Sequence, residues 1–132
     1  MLDTDTCIFL MRGASQNLEI KVQSVPLQQQ VMSAVTFAEL SDGVQASATA
    51  KRKKNQARLD SLALHLAVLD WPQAAARHYA EIRSDLKKRG AQLGAADLMI
   101  AAHARAMDAI VVTNNVKDFC RVKGLEVENW TQ

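Results

Sequence analysis

Cysteine is nearly absent from this chain. Cys7 and Cys120 are its only two, so there is no disulfide framework. Neither belongs to a CxxC or Cys/His pattern, which excludes the common zinc and redox motifs. Both read as small packing residues of a reducing compartment. The three histidines, His65, His78 and His103, have no metal-ligand spacing and read as surface or packing residues. No apolar run approaches the ~20 residues of a membrane span, and no basic segment leads into the apolar core of a secretory leader. These absences point to a cytoplasmic protein with no membrane partner. With only two prolines and five glycines to interrupt it, the chain is expected to be rich in helix.

What is present is ordinary for a globular protein: 48% hydrophobic and 23% charged residues. At 132 residues the chain is long enough for one domain with a real core, spanning 1–132. The net charge of +2 does not announce a nucleic-acid binder, but the basic residues cluster at 51–58 and 83–89.

Short apolar segments near residue 2, at 31–35 (VMSAV), 66–70 (LAVLD), 109–112 (AIVV) and 125–128 (LEVE) read as strands. Helical stretches lie between them: CIFLM at 7–11, 16–24, FAELSDGV after Thr36, a leucine-bearing segment with Leu59, Leu62, Leu64 and Leu66, a stripe from Ala76 to Leu86, and the alanine-rich AADLMIAAHARAM after Gly94. Thr36 and Glu39 form a T-x-x-E capping box, and Pro72 suits the first turn of a helix. This alternation predicts an α/β fold with a central parallel sheet of four to five short strands flanked by helices.

In such a sheet the site lies at the carboxyl ends of the strands, and the acidic residues fall there. Asp3 follows the first strand, Glu39 the second, and Asn115 and Asp118 the fourth; Asp97 stands in the first turn of the helix after Gly94. Each also has a structural reading. Glu39 serves a capping box, Asp97 complements a helix dipole, Asp118 is a turn or capping residue, and Asp5 caps the first helix. Together at one edge they would repel one another, a conflict that a hard cation such as Mg²⁺ removes.

At these residues the sequence resembles the PIN-domain ribonucleases, specifically the VapC-type toxins of type II toxin–antitoxin pairs. The matching pieces are MLDTDTC at 1–7, SAVTFAEL at 33–40, GAADLMIAAHA at 94–104, VVTNNVKDF at 111–119 and GLEVENW at 124–130, in the family order. The resemblance implies a PIN-like fold and a Mg²⁺- or Mn²⁺-dependent endoribonuclease leaving a 5′-phosphate and a 3′-hydroxyl. Asp3 and Asp97 are then the main metal ligands, with Glu39 holding a metal-bound water or a second ion. Asn115 stands where many relatives carry an acid, so either Asn115 or Asp118 supplies the fourth position. Thr4, Asp5 and Thr113 are supporting residues.

Structured RNA such as tRNA is the implied substrate. Arg12, Lys51, Arg52, Lys53, Lys54, Lys87, Lys88 and Arg89 are candidates to hold its phosphates, against the alternative of solvated helical faces. Six aromatic residues (two Trp, one Tyr, three Phe) leave little surface for base stacking. The family further implies a VapB-like antitoxin, lying over a groove walled by Phe9, Leu10, residues 37–44, Leu59 and Leu62. It also implies a homodimer through the regions 31–40 and 97–107, able to assemble further with antitoxin. Two alternatives remain. LDTDTC resembles the D-x-D motif of haloacid-dehalogenase-like phosphatases, with Asp3 as nucleophile, and a PIN-like fold can bind RNA or protein without cutting. Ser33 and Ser41 lack the partners of a serine triad.

Overall fold

A computed structural model describes all 132 residues. Four short strands and seven α-helices alternate in it: α1 (Thr4–Arg12), α2 (Gln16–Ser24), β1 (Val31–Ser33), α3 (Ala34–Ala46), α4 (Thr49–His65), β2 (Ala67–Leu69), α5 (Ala75–Lys88), α6 (Ala95–Ala106), β3 (Val111–Val112), α7 (Val116–Phe119) and β4 (Val127–Glu128). β1 pairs parallel with β2, aligning Met32 with Val68, and β3 pairs parallel with β4, aligning Val112 with Glu128.

Leu2 joins the two pairs. It forms a parallel bridge with Val112, and its N–H donates to the Val31 carbonyl at 2.9 Å. The predicted sheet of four to five strands is thus two ladders sewn together by one residue. Consecutive strand residues face opposite sides, and the core divides accordingly. Met1 and Val111 pack with Ile82, Leu86, Ile100 and Phe119 on the α5–α6 side. Leu2, Met32 and Val112 pack with Leu18, Leu40, Leu59 and Leu66 on the α1–α3–α4 side. Helices therefore cover both faces of the sheet.

Several local expectations are corrected. Asp3, not Asp5, caps α1: its carboxylate accepts from the Thr6 N–H at 2.9 Å, while Asp5 is exposed in the first turn. The cap is the last extended residue before a helix. Asp3 holds that place because its own N–H is still tied to the sheet, donating to the Val112 carbonyl at 3.0 Å. The Thr36–Glu39 capping box does not form. The strand ends at Ser33 rather than residue 35, and Ser33 caps α3 by accepting from the Val35 N–H. Thr36 is buried within α3, which frees Glu39 from a capping role.

Pro72 precedes α5 instead of starting it, its carbonyl accepting from the Ala75 N–H. Leu59, Leu62 and Leu66 are buried, but Leu64, off their stripe, is 85% exposed. Cys7 is buried as expected, whereas Cys120 is exposed; both are free thiols. No helix is long and apolar enough to cross a membrane.

Candidate active site

The strand ends and helix starts bring the acids to one edge. Asp3 is the most enclosed, only 3% exposed. Besides the Thr6 N–H, it accepts from the Thr113 hydroxyl at 2.5 Å, 110 residues away in sequence. Burial pushes its carboxyl above the ordinary range, and the Thr113 and Thr6 hydrogen bonds oppose that rise. The Thr4 hydroxyl donates to Glu39, whose carboxylate is exposed on α3. Thr4 and Thr113 are therefore the direct hydrogen-bond partners of two of the acids.

Asp97 enters from the first turn of α6, with Gly94 as N-cap. Its carboxyl is raised from 3.8 to about 6, first by burial and then by the charges of Asp3, Glu39, Asp5 and Asp118. A helix start would lower it, so the rise records burial first and the crowding of the other carboxylates second. Asn115 is held by its N–H, which donates to the Thr113 hydroxyl at 2.9 Å, and by its side-chain amide, which donates to Asp118 Oδ2 at 2.9 Å. Asp118 also lies 3.6 Å from the Arg121 guanidinium. Asn115 and Asp118 are thus bonded to each other.

The donor set is all oxygen, from carboxylates that repel one another. This is the chemistry that suits a hard divalent cation. No three acidic or histidine side chains close into a ready-made cage.

The chain matches the PIN domain model over residues 1–125. This protein belongs to the PIN-domain family. It is 35% identical to ribonuclease VapC2 of Rickettsia felis, over 98% of this chain and 96% of that one. It is also 35% identical to the tRNA(fMet)-specific endonuclease VapC of Salmonella typhimurium, with the same coverage. Among solved structures it resembles VapBC-1 from nontypeable Haemophilus influenzae, with a TM-score of 0.91 and 32% identity over 100% of this chain and 98% of that one. DNA-bound VapBC from Salmonella typhimurium gives a TM-score of 0.91 at 34% identity, covering 98% and 96%.

The basic candidates of this PIN domain divide. Arg12 is exposed and lines a pocket with Glu39. Lys51, Lys53 and Lys54 are exposed along α4. Arg52 instead donates to the Gln45 carbonyl at 3.2 Å, closing the α3–α4 turn. Arg89 is occupied by Asp85 at 2.6 Å and by the Arg121 carbonyl. Lys87 lines a separate cleft of about 390 Å³ between α5 and the start of α6, and Lys88 is exposed nearby.

The expected groove is also redrawn. A cavity of about 400 Å³ is lined by Leu10, Met11, Val22, Leu27 and Leu62. Phe9 is not part of it, and Leu40, Val44 and Leu59, though largely buried, line a second pocket beside Glu39.

Sequence reasoning missed one pair. His103, fully buried on α6, lies 2.8 Å from the Ser33 hydroxyl through Nδ1. This links the cap of the Glu39 helix to the Asp97 helix. A polar residue on the wholly apolar face of AADLMIAAHA was the available signal.

Proposed function

We propose that this PIN domain is a divalent-metal-dependent endoribonuclease, the toxin of a toxin–antitoxin pair, acting in the cytoplasm on structured RNA such as tRNA. The observation that carries the reading is the convergence of Asp3, Glu39 and Asp97 at one sheet edge, with Asp97 raised to about 6 by burial and its acidic neighbours. Asp3 and Asp97 would hold Mg²⁺ or Mn²⁺, with Glu39 beside them. When bound, such an ion supplies Lewis acidity at the phosphoryl group and a nucleophilic water at neutral pH. The chain's own residues orient the parts. Thr113 and the Thr6 N–H fix the Asp3 carboxylate, and Thr4 fixes Glu39. Asn115, its amide committed to Asp118, keeps its side-chain carbonyl as an acceptor for water. Hydrolysis leaves a 5′-phosphate and a 3′-hydroxyl.

The antitoxin partner follows from the relatives, whose solved structures are VapBC assemblies. The apolar cavity between α1, α2 and α4 suits an apolar segment of such a partner. A phosphatase using Asp3 as nucleophile is disfavoured by the match to the PIN domain over residues 1–125 and by the ribonuclease relatives.

The test is incubation of purified, antitoxin-free protein with total RNA in Mg²⁺, Mn²⁺ or EDTA. Discrete fragments are expected with metal and none with EDTA. If Asp3→Asn and Asp97→Asn cut as well as the parent, the enzyme reading fails.

A further inference from the structure

A pocket of about 190 Å³ opens beside Glu39, between α1, α3 and α4. Its floor includes the buried Leu40 and Leu59, and its rim carries Arg12, Asn55 and Arg58. None of the three rim residues takes part in the chain's ion pairs. Two guanidinium groups and one amide thus stand uncommitted around an apolar floor, at the threshold of the acid cluster.

Gly43 marks the pocket further. It lines the pocket from the interior of α3, where glycine destabilises a helix relative to alanine. Its φ is not positive, and a Cβ placed there would meet no atom within 4 Å. Neither backbone conformation nor internal packing requires glycine at this position. A larger side chain at this position would project into open space beside the pocket.

We propose that this pocket receives one unstacked nucleobase of the RNA, next to the phosphodiester presented to Asp3, Glu39 and Asp97; the inference rests on the nuclease reading above. The volume lies below the ~300 Å³ at which sites for whole small molecules begin and suits a single planar ring system. Leu40 and Leu59 bury the ring face. Asn55 has both a donor and an acceptor for a base edge, as in recognition of splayed single-stranded RNA. Arg12 and Arg58 match the flanking phosphates through their planar forks. Arg58 lines both this pocket and the neighbouring cavity, but Arg12, Asn55 and the adjoining acid site are particular to this one and favour RNA here; the neighbouring cavity, with Leu10, Val22, Leu27, Leu62 and Leu66, is the better match for an apolar protein segment.

The experiment uses single-stranded RNA oligonucleotides with one defined cut site, carrying an abasic ribose at each flanking position in turn. For the parent protein, loss of the base at one flanking position is expected to slow cutting at least about tenfold, the effect of one hydrogen bond plus burial of a ring face. Gly43→Leu, which fills the pocket, is expected to bring that ratio close to one. Asn55→Ala, a change on the α4 surface, is expected to flatten the preference among the four bases.

The proposal is overturned if the parent cuts abasic and intact RNA equally at every position, or if Gly43→Leu keeps the ratio. If in that case Gly43→Leu also no longer binds a co-expressed antitoxin, the pocket is assigned to protein instead. Failure of the parent to cut any RNA with Mg²⁺ or Mn²⁺ sinks the nuclease reading itself and is told apart from these outcomes by the parent alone.

Discussion

The Thr113 hydroxyl donates to Asp3 Oδ2 at 2.5 Å, and its oxygen accepts from the Asn115 N–H at 2.9 Å. One buried side chain on the loop after β3 thus sets the carboxylate that follows the Leu2 bridge and the turn that carries Asn115. Thr113→Val keeps the shape and removes both bonds. The buried carboxylate and N–H then lose a partner, and stability falls by about 1–3 kcal/mol. If Asp3 holds the metal as proposed, cleavage falls roughly 10–100-fold, the usual cost of losing a residue that orients a metal ligand. Urea unfolding in EDTA and RNA cleavage in Mn²⁺ read the two effects; an unchanged unfolding midpoint contradicts the first.

Asp97 is expected to trade stability for function. Its charge at neutral pH is opposed by burial and by Asp3 and Glu39, so Asp97→Asn raises the melting temperature in EDTA while abolishing cleavage. Added Mn²⁺ stabilises the parent and has little effect on the variant. A variant that melts lower than the parent in EDTA would refute the crowding of charge at this edge.

The pH dependence of the metal-free protein follows from the same group. The folded value, about 6, lies above the ordinary 3.8. Between these limits the folded state binds a proton that the unfolded state releases. The contribution of Asp97 to stability therefore increases as pH falls from above 6 toward 4, and the penalty is complete above 6. Urea midpoints for the parent and Asp97→Asn should converge as pH is lowered through this window; a gap independent of pH counts against the assignment.

Ser33 and His103 hold two helices in register. The Ser33 hydroxyl accepts from the Val35 N–H at 3.1 Å and sits 2.8 Å from His103 Nδ1. Ser33→Ala removes a helix cap and leaves a buried imidazole nitrogen without a partner, costing about 1–3 kcal/mol. Ser33→Thr retains the hydroxyl and recovers most of that loss. Thermal melts of the two variants separate hydroxyl chemistry from packing: equal destabilisation by both points to packing alone.

The acid positions were legible because strand–helix alternation places strand carboxyl ends at one edge of a parallel sheet. Asp3, Glu39, Asp97 and the 115–118 turn could be placed there without coordinates. Which aspartate caps α1 was not legible, because the choice between Asp3 and Asp5 depends on the bond from the Asp3 N–H to Val112. Ser33 displaced the Thr36–Glu39 box for a similar reason: the register of β1 with β2 ends at Ser33 opposite Leu69. Local signals specify that a cap exists, and pairing across the sheet selects it. Basic clusters were also visible, but not that Arg52 and Arg89 are committed within the chain.

By itself, the sequence determined the order of helices and strands and the segments that contribute acids, since these depend on spacing along one chain; it did not settle every buried face, for Leu64, Ala76 and Ala80 of the expected stripes are exposed. Only the tertiary structure decided that Thr113 serves Asp3 from 110 residues away, that His103 meets Ser33, and that Asp97 is raised by its neighbours. Hydrogen-bond partners and protonation states depend on distance and burial across segments, and those exist only once the sheet has joined them.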